Sequence, residues 1–119
     1  MIKNFLFVMS QAPHDGAGVQ ETLDIILTTA AFDQSVSLLF LDDGVLQLHQ
    51  RQQSEKVGLK DTAAIFQALQ IYDVHEYFVE SESLQHRGLK PGNLILPVQE
   101  VYRKDINALM RRFDRVISA

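Results

Sequence analysis

Cysteine is absent from the 119 residues, and so is tryptophan. The first absence removes thiolate nucleophiles, persulfide carriers, disulfides and cysteine-based zinc sites together. Long apolar runs are missing as well. The longest, Phe5 to Met9 and Val36 to Leu41, fall far short of the roughly 20 residues that cross a bilayer. No basic-apolar-small-residue leader precedes them, so a soluble, cytoplasmic protein with no membrane partner is expected. Positive charge is in short supply too, with 11 basic against 15 acidic residues and a net charge of −4. The imbalance is uneven: residues 1–79 carry 4 basic and 10 acidic groups, and residues 80–119 carry 7 and 5. Gripping a polyphosphate needs several cations on one face, so nucleic acid is not expected as a direct ligand. What remains is one ordinary domain, 1–119, long enough to bury roughly two-thirds of its unfolded surface without a disulfide or metal staple.

Ile2 to Met9 reads as a strand, because Phe5, Leu6, Phe7 and Val8 form the continuous apolar run of a sheet covered on both faces. Ser10 to Gly18, with one proline and two glycines, breaks it. Leu23, Ile26, Leu27, Ala30 and Ala31 then fall on one helical stripe. Val36 to Leu41 is a second buried strand, ended by Asp42-Asp43-Gly44, and Val45 to His49 is either a short helix or an extended turn. Gln50 to Lys60 is polar and reads as a surface loop. Asp61 can cap a helix whose inner stripe is Ile65, Ala68, Leu69 and Tyr72. Tyr77 to Val79 is a third strand, followed by a short helix from about Ser83 that Gly88 closes in the left-handed conformation. Leu94 to Val98 is a fourth strand, confined to an edge or shortened by Pro97. Ile106, Leu109, Met110 and Phe113 mark a last amphipathic helix with Arg103, Lys104, Arg111 and Arg112 on or near its wet side, and Arg115 to Ser118 a final strand. Such alternation predicts an α/β fold: a single domain with a mainly parallel open sheet and helices on both faces.

The loop Ser10 to Gly18 sits at the carboxyl end of a strand, where open α/β sheets place ligands. It lacks the spacing of a dinucleotide fingerprint and the lysine of a P-loop, so helix capping by Asp15 stands beside a small-anion site as its reading. His14 titrates near neutrality but has no serine-carboxylate pattern around it, which favours a structural or interface histidine over a base. His14, His49, His75 and His86 lie 35, 26 and 11 residues apart, without helical metal-ligand spacing, and no metal or cofactor is expected. Asp42 and Asp43 can help hold a hard cation, or simply end a strand, with Gly44 supplying an unusual backbone angle. Val45, Leu46 and Leu48 lie between polar segments and belong either to the core or to an apolar contact surface.

These elements combine. A first strand leading into Ser10-Gln-Ala-Pro-His14 and Gly18 is followed by Asp43-Gly-Val-Leu-Gln-Leu48, Leu69-Gln-Ile-Tyr-Asp-Val74 and Ser83-Leu-Gln-His-Arg-Gly-Leu89. In this order they resemble the TusC/DsrF branch of the DsrE/DsrF-like family, over nearly the whole chain. The resemblance implies a noncatalytic α/β subunit of a cytoplasmic sulfur relay. Its partners would be TusB/DsrH-like and TusD/DsrE-like sister subunits, two copies of each of the three chains forming a heterohexamer. Sulfur donor and acceptor proteins would be reached through that assembly, which by the resemblance would serve 2-thiolation of the tRNA wobble uridine or, in the related version, sulfur oxidation. The resemblance further implies that the reactive cysteine sits on the TusD/DsrE-type sister, and it carries no catalytic residue over to this chain.

The residues agree on one point, since a persulfide needs a cysteine sulfur and this chain has none. The surface expected to meet the sister subunits comprises His14, Asp43, Gly44, Val45, Leu46 and Leu48. Two alternatives stand beside this reading. One is a small-molecule or nucleotide-binding enzyme using the Ser10 to Gly18 loop with His14 and Asp42. The other is a self-associating structural protein without a sulfur connection.

Overall fold

An apolar strand that alternates its side chains across a sheet needs cover on both sides, and each apolar run finds it. The computed structural model describes residues 2–10, 18–48, 68–94 and 96–118. Among these residues five strands, β1 (Asn4–Met9), β2 (Ser35–Phe40), β3 (Glu76–Glu80), β4 (Gln99–Val101) and β5 (Arg115–Ser118), form one sheet in the order β4-β3-β2-β1-β5. Every pairing is parallel; Phe7 stands beside Leu38 of β2 on one side and Ile117 of β5 on the other. The helices among the described residues are α1 (Gly18–Ala31), α2, of which 68–71 are described, α3 (Ser81–His86) and α4 (Ile106–Met110).

Side chains two apart share a face. Phe7 and Met9 of β1, Leu38 and Phe40 of β2, and Tyr77 and Val79 of β3 therefore point to one side, where they meet Leu23 and Ile26 of α1 and Leu69 of α2. Leu6, Val8, Leu39 and Phe78 point to the other and are capped by Ile106 and Leu109 of α4. The expected α/β architecture, with helices on both faces of a parallel sheet, is the one observed. Tyr77 is fully buried on the α1 side, and its hydroxyl donates to the Val74 carbonyl.

Helix ends explain several differences in detail. Asp73, not an apolar residue, takes φ +64° after α2, and the Val74 amide donates to the Leu69 carbonyl across it. That left-handed stop ends the helix before Tyr72, which is 46% exposed instead of lying on the inner stripe. The same pattern recurs at Gly88, φ +65°, where the Leu89 amide reaches the Leu84 carbonyl, as expected for that glycine. Ala31, placed on the inner stripe of α1, is exposed at the helix end. The fourth strand begins at Gln99, not Leu94: Pro97 has no N–H to donate, so the ladder with β3 starts two residues beyond it. Leu94 and Leu96 are buried all the same. The segment after β2 is a 3-10 helix, Asp42–Leu48, which decides between helix and extended turn there. The expectations for Asp61, Ile65 and the 50–60 loop lie outside the described residues.

Candidate functional site

A parallel sheet brings the carboxyl ends of its strands to one edge, where crossover loops gather side chains from distant parts of the chain. At this edge β2 runs into Asp42–Leu48, β3 into α3, and β4 into a 3-10 turn, Arg103–Asp105. A polar network joins all three. Glu80, the last residue of β3, is 5% exposed, and its Oε1 accepts from the Arg103 guanidinium at 2.9 Å and from the Ser83 hydroxyl at 2.6 Å. Ser83 Oγ in turn accepts from the Asp42 amide at 2.8 Å. The Arg103 amide donates to Glu82 Oε1 at 2.9 Å. Arg87 Nη2 and Nε reach Asp43 Oδ1 at 2.9 and 3.1 Å, and its Nη1 donates to the Ser83 carbonyl at 3.2 Å.

Electrostatics follow from this wiring. The Arg103 guanidinium bonded to Glu80 holds that carboxyl below the usual carboxylate range; burial pushes the other way, and Ser83 adds to the lowering. Arg103 is shifted upward by the same bond. Glu80 is thus a charged buried residue with its counterion and hydroxyl donor in place, which is how a buried carboxylate is tolerated. Ser83 donates directly to a carboxylate with no imidazole between them, so it is not arranged as an activated nucleophile. Among the described residues no three His, Asp or Glu side chains converge as a metal site requires. The chemistry on display is fastening: two arginines tie three crossover segments into a fixed rim.

The residues predicted from sequence fall into three groups. Asp43 is exposed and paired with Arg87, and Leu46 is half-buried. Val45 and Leu48 are fully buried in the larger core, so of the two readings left open for that apolar group they take the core. Gly44 is buried for a reason different from the one expected. The left-handed angle belongs to Asp42, φ +50°, while a Cβ on Gly44 would lie 1.9 Å from the Met9 carbonyl oxygen. Gly44 is needed for close approach to β1, not for its dihedral freedom. His14 and the loop that contains it lie outside the described residues, and with them the small-molecule reading. Sequence reasoning missed Glu80 and Arg103 as a pair and placed Arg103 merely on a wet helix face. One signal was present: a carboxylate directly after Tyr77-Phe78-Val79, at the end of a buried parallel strand, calls for a counterion.

Residues 3–119 match the model of the DsrE/DsrF-like family. The chain belongs to that family. A TusC homolog from Pseudomonas aeruginosa is 37% identical over 118 residues, covering 99% of both chains. Another from Aliivibrio fischeri is 35% identical over 111 residues, covering 93% of this chain and 94% of the relative. The intracellular sulfur oxidation protein DsrF of Allochromatium vinosum is 37% identical over 95 residues, covering 80% of this chain and 70% of its own. These relatives lie in the branch to which the ordered motifs point. The crystal structure of the ychN protein from E. coli shares the fold with a TM-score of 0.84 at 14% identity, covering 99% of this chain and all of the other. A protein of unknown function from Methanobacterium thermoautotrophicum does so at 0.72 and 15%, covering 98% and 99%. No helix among the described residues of this DsrE/DsrF-like chain is long and apolar enough to cross a membrane.

Proposed function

We propose that this DsrE/DsrF-like chain is a noncatalytic subunit of a cytoplasmic sulfur-relay complex, packing against TusB/DsrH-like and TusD/DsrE-like sister chains in a heterohexamer with two copies of each. The observation that carries the proposal is the end-to-end likeness to a TusC homolog, 37% identity over 99% of both chains, in a sequence without a single cysteine. Persulfide sulfur travels from thiolate to thiolate, so a chain without thiols contributes shape and contacts, not a covalent stop. The rim tied by Glu80, Arg103, Arg87 and Asp43 supports this role, because a surface held by ion pairs is preformed for docking another chain. The surface proposed to meet a sister subunit comprises His14, Asp43, Gly44, Val45, Leu46 and Leu48; of these Asp43 is exposed and Leu46 half-buried, while Gly44, Val45 and Leu48 are buried. The relay delivers sulfur toward 2-thiolation of the tRNA wobble uridine, or to the related sulfur-oxidation route, without this chain gripping nucleic acid itself.

Co-expression with the two sister chains followed by native mass spectrometry tests the proposal. A single complex containing all three chains in equal number is expected. This chain remaining apart, while the sisters assemble without it, refutes it.

A further inference from the structure

The sheet has two edges, and they are finished differently. β4 is three residues long, follows Pro97, and places Gln99 and Glu100 at its exposed start, all devices that discourage a further strand. β5 carries Val116 and Ile117 at its centre, 40% and 39% exposed although successive residues face opposite sides, and no proline or glycine interrupts it. Backbone hydrogen bonds fix the direction in which the groups of β1 point. The Lys3 and Met9 carbonyls accept from Ser35 and Leu41, so the odd-numbered residues of β1 turn toward β2, and Asn4, Leu6 and Val8 turn toward β5. With Leu6 beside Val116 and Phe7 beside Ile117, Arg115 and Ile117 spend their backbone groups on β1. The N–H and C=O of Val116 and Ser118 point outward from the sheet.

We infer that the β5 edge pairs with β5 of a second copy of this chain, antiparallel about a two-fold axis at Ile117, joining two sheets into one. In that register Val116 of each copy lies opposite Ser118 of the other, and the two residues exchange all four outward groups on each strand. Ile117 meets its own counterpart in the close, non-hydrogen-bonded position, on the α1 side of the sheet beside Phe7. The two Arg115 side chains fall four residues apart along the seam, so no like charges face each other directly. A register centred on Val116 brings them within two residues and leaves the outward groups of Ser118 without a strand partner beside them. A seam of three paired residues per copy, Val116 to Ser118, buries far less than the roughly 1,200 Å² of the smallest standard interface, so the contact is expected to be weak, with a Kd of the order of micromolar. This inference does not rest on the relay reading.

The absence of native thiols makes the test direct. Across a non-hydrogen-bonded antiparallel pair the Cα atoms lie about 4.5 Å apart, within disulfide range. Ile117→Cys is therefore expected to form a disulfide-linked dimer under mild oxidation at least tenfold faster than Ile25→Cys, which is exposed on the outer side of α1. Adding Val116→Pro removes an outward donor, spares the bonds to β1, and is expected to abolish that advantage. Ile117→Lys, which sets two ammonium groups face to face, is expected to hold the chain at 13.5 kDa by sedimentation at concentrations where the parent approaches twice that mass. Equal cross-linking rates for Ile117→Cys and Ile25→Cys, a parent that stays monomeric at several hundred micromolar, or a dimer that persists in Ile117→Lys each overturn the inference. Capture of a sister chain at Ile117→Cys in the co-expressed mixture does so as well, and leaves the relay proposal standing.

Discussion

Three glycines in this chain separate three physical effects, and alanine at each gives a graded prediction. At Gly44 a Cβ would lie 1.9 Å from the Met9 carbonyl oxygen and 2.6 Å from its carbon. Ordinary contact begins near 3.4 Å, so the 3-10 segment or β1 must move by about 1.5 Å, and both are backbone held by the Gly44 amide to Leu41 carbonyl bond and the Leu41 amide to Met9 carbonyl bond. Overpacking of side chains costs about 1–3 kcal/mol; a main-chain clash with Val45 and Leu48 anchored next to it should exceed that, at about 4 kcal/mol. At Gly88 nothing stands within 4 Å of the added Cβ, but φ is +65°, so the cost is the left-handed penalty of about 1 kcal/mol. At Gly92 the space is open and no positive φ is required, so alanine should be neutral or stabilise by about 0.5 kcal/mol through the unfolded chain. For a domain of this size 1 kcal/mol corresponds to about 4 °C in Tm. Thermal unfolding followed by circular dichroism should therefore show losses of about 15 °C, 4 °C and none. A Gly44→Ala protein melting within about 4 °C of the parent, or below it by less than Gly88→Ala, refutes the close-approach explanation and the placement of the 3-10 segment against β1.

Other consequences follow from the core and the rim. Because Arg103 is the main cause of the lowered Glu80 pKa, the parent's stability from this carboxylate is present above the ordinary carboxylate range and lost as pH falls through the lowered folded value. Arg103→Ala should melt lower than the parent at pH 7, with the gap narrowing toward pH 3.5; urea titrations at the two pH values showing a constant gap would count against the pair. Burial pushes the Tyr77 hydroxyl up to about 12 from 10.0, so its contribution is complete below pH 10 and is lost as pH rises toward 12. Tyr77→Phe should lose the part of the alkaline destabilisation that begins there, read from melting curves between pH 9 and 12. Leu38→Ala, at the centre of the sheet with no exposed surface, should cost about 3 kcal/mol in denaturant unfolding. Asp43→Asn, by contrast, breaks an ion pair whose carboxylate is more than half exposed and should cost less than about 1 kcal/mol.

Much of the fold was legible because the strongest signals are local. The apolar run around Phe7 and the one from Val36 to Leu41 required a sheet covered on both faces, and the 3.6-residue spacing of Leu23, Ile26 and Leu27 required a helix to cover one of them. Gly88 was readable from its place at the end of a short helix. Signals failed where the deciding contact was distant in sequence. Gly44 contacts Met9, 35 positions earlier, and only that contact shows that it is space, not φ, that excludes a side chain. Arg103 reads as a solvated cation until β3 and β4 pair and bring Glu80 to it across 23 positions. Val45 and Leu48 could not be divided between core and surface from their neighbours, because a 3-10 helix turns residues inward on a period that five residues do not reveal. Leu94 and Leu96 show the limit of hydrophobicity as a strand signal: both are buried, yet the ladder waits for residues beyond Pro97 that can donate.

The proposed role is that of a chain that shapes a sulfur relay without carrying sulfur. Its most direct test follows labelled sulfur from a persulfidated donor protein through the co-purified three-chain complex, alongside the two sister chains prepared without this one, with each polypeptide's label read after non-reducing separation. Label confined to a sister chain, with transfer collapsing when this chain is omitted, is the predicted result. Undiminished transfer by the sisters alone, or label held covalently on this chain, would contradict it.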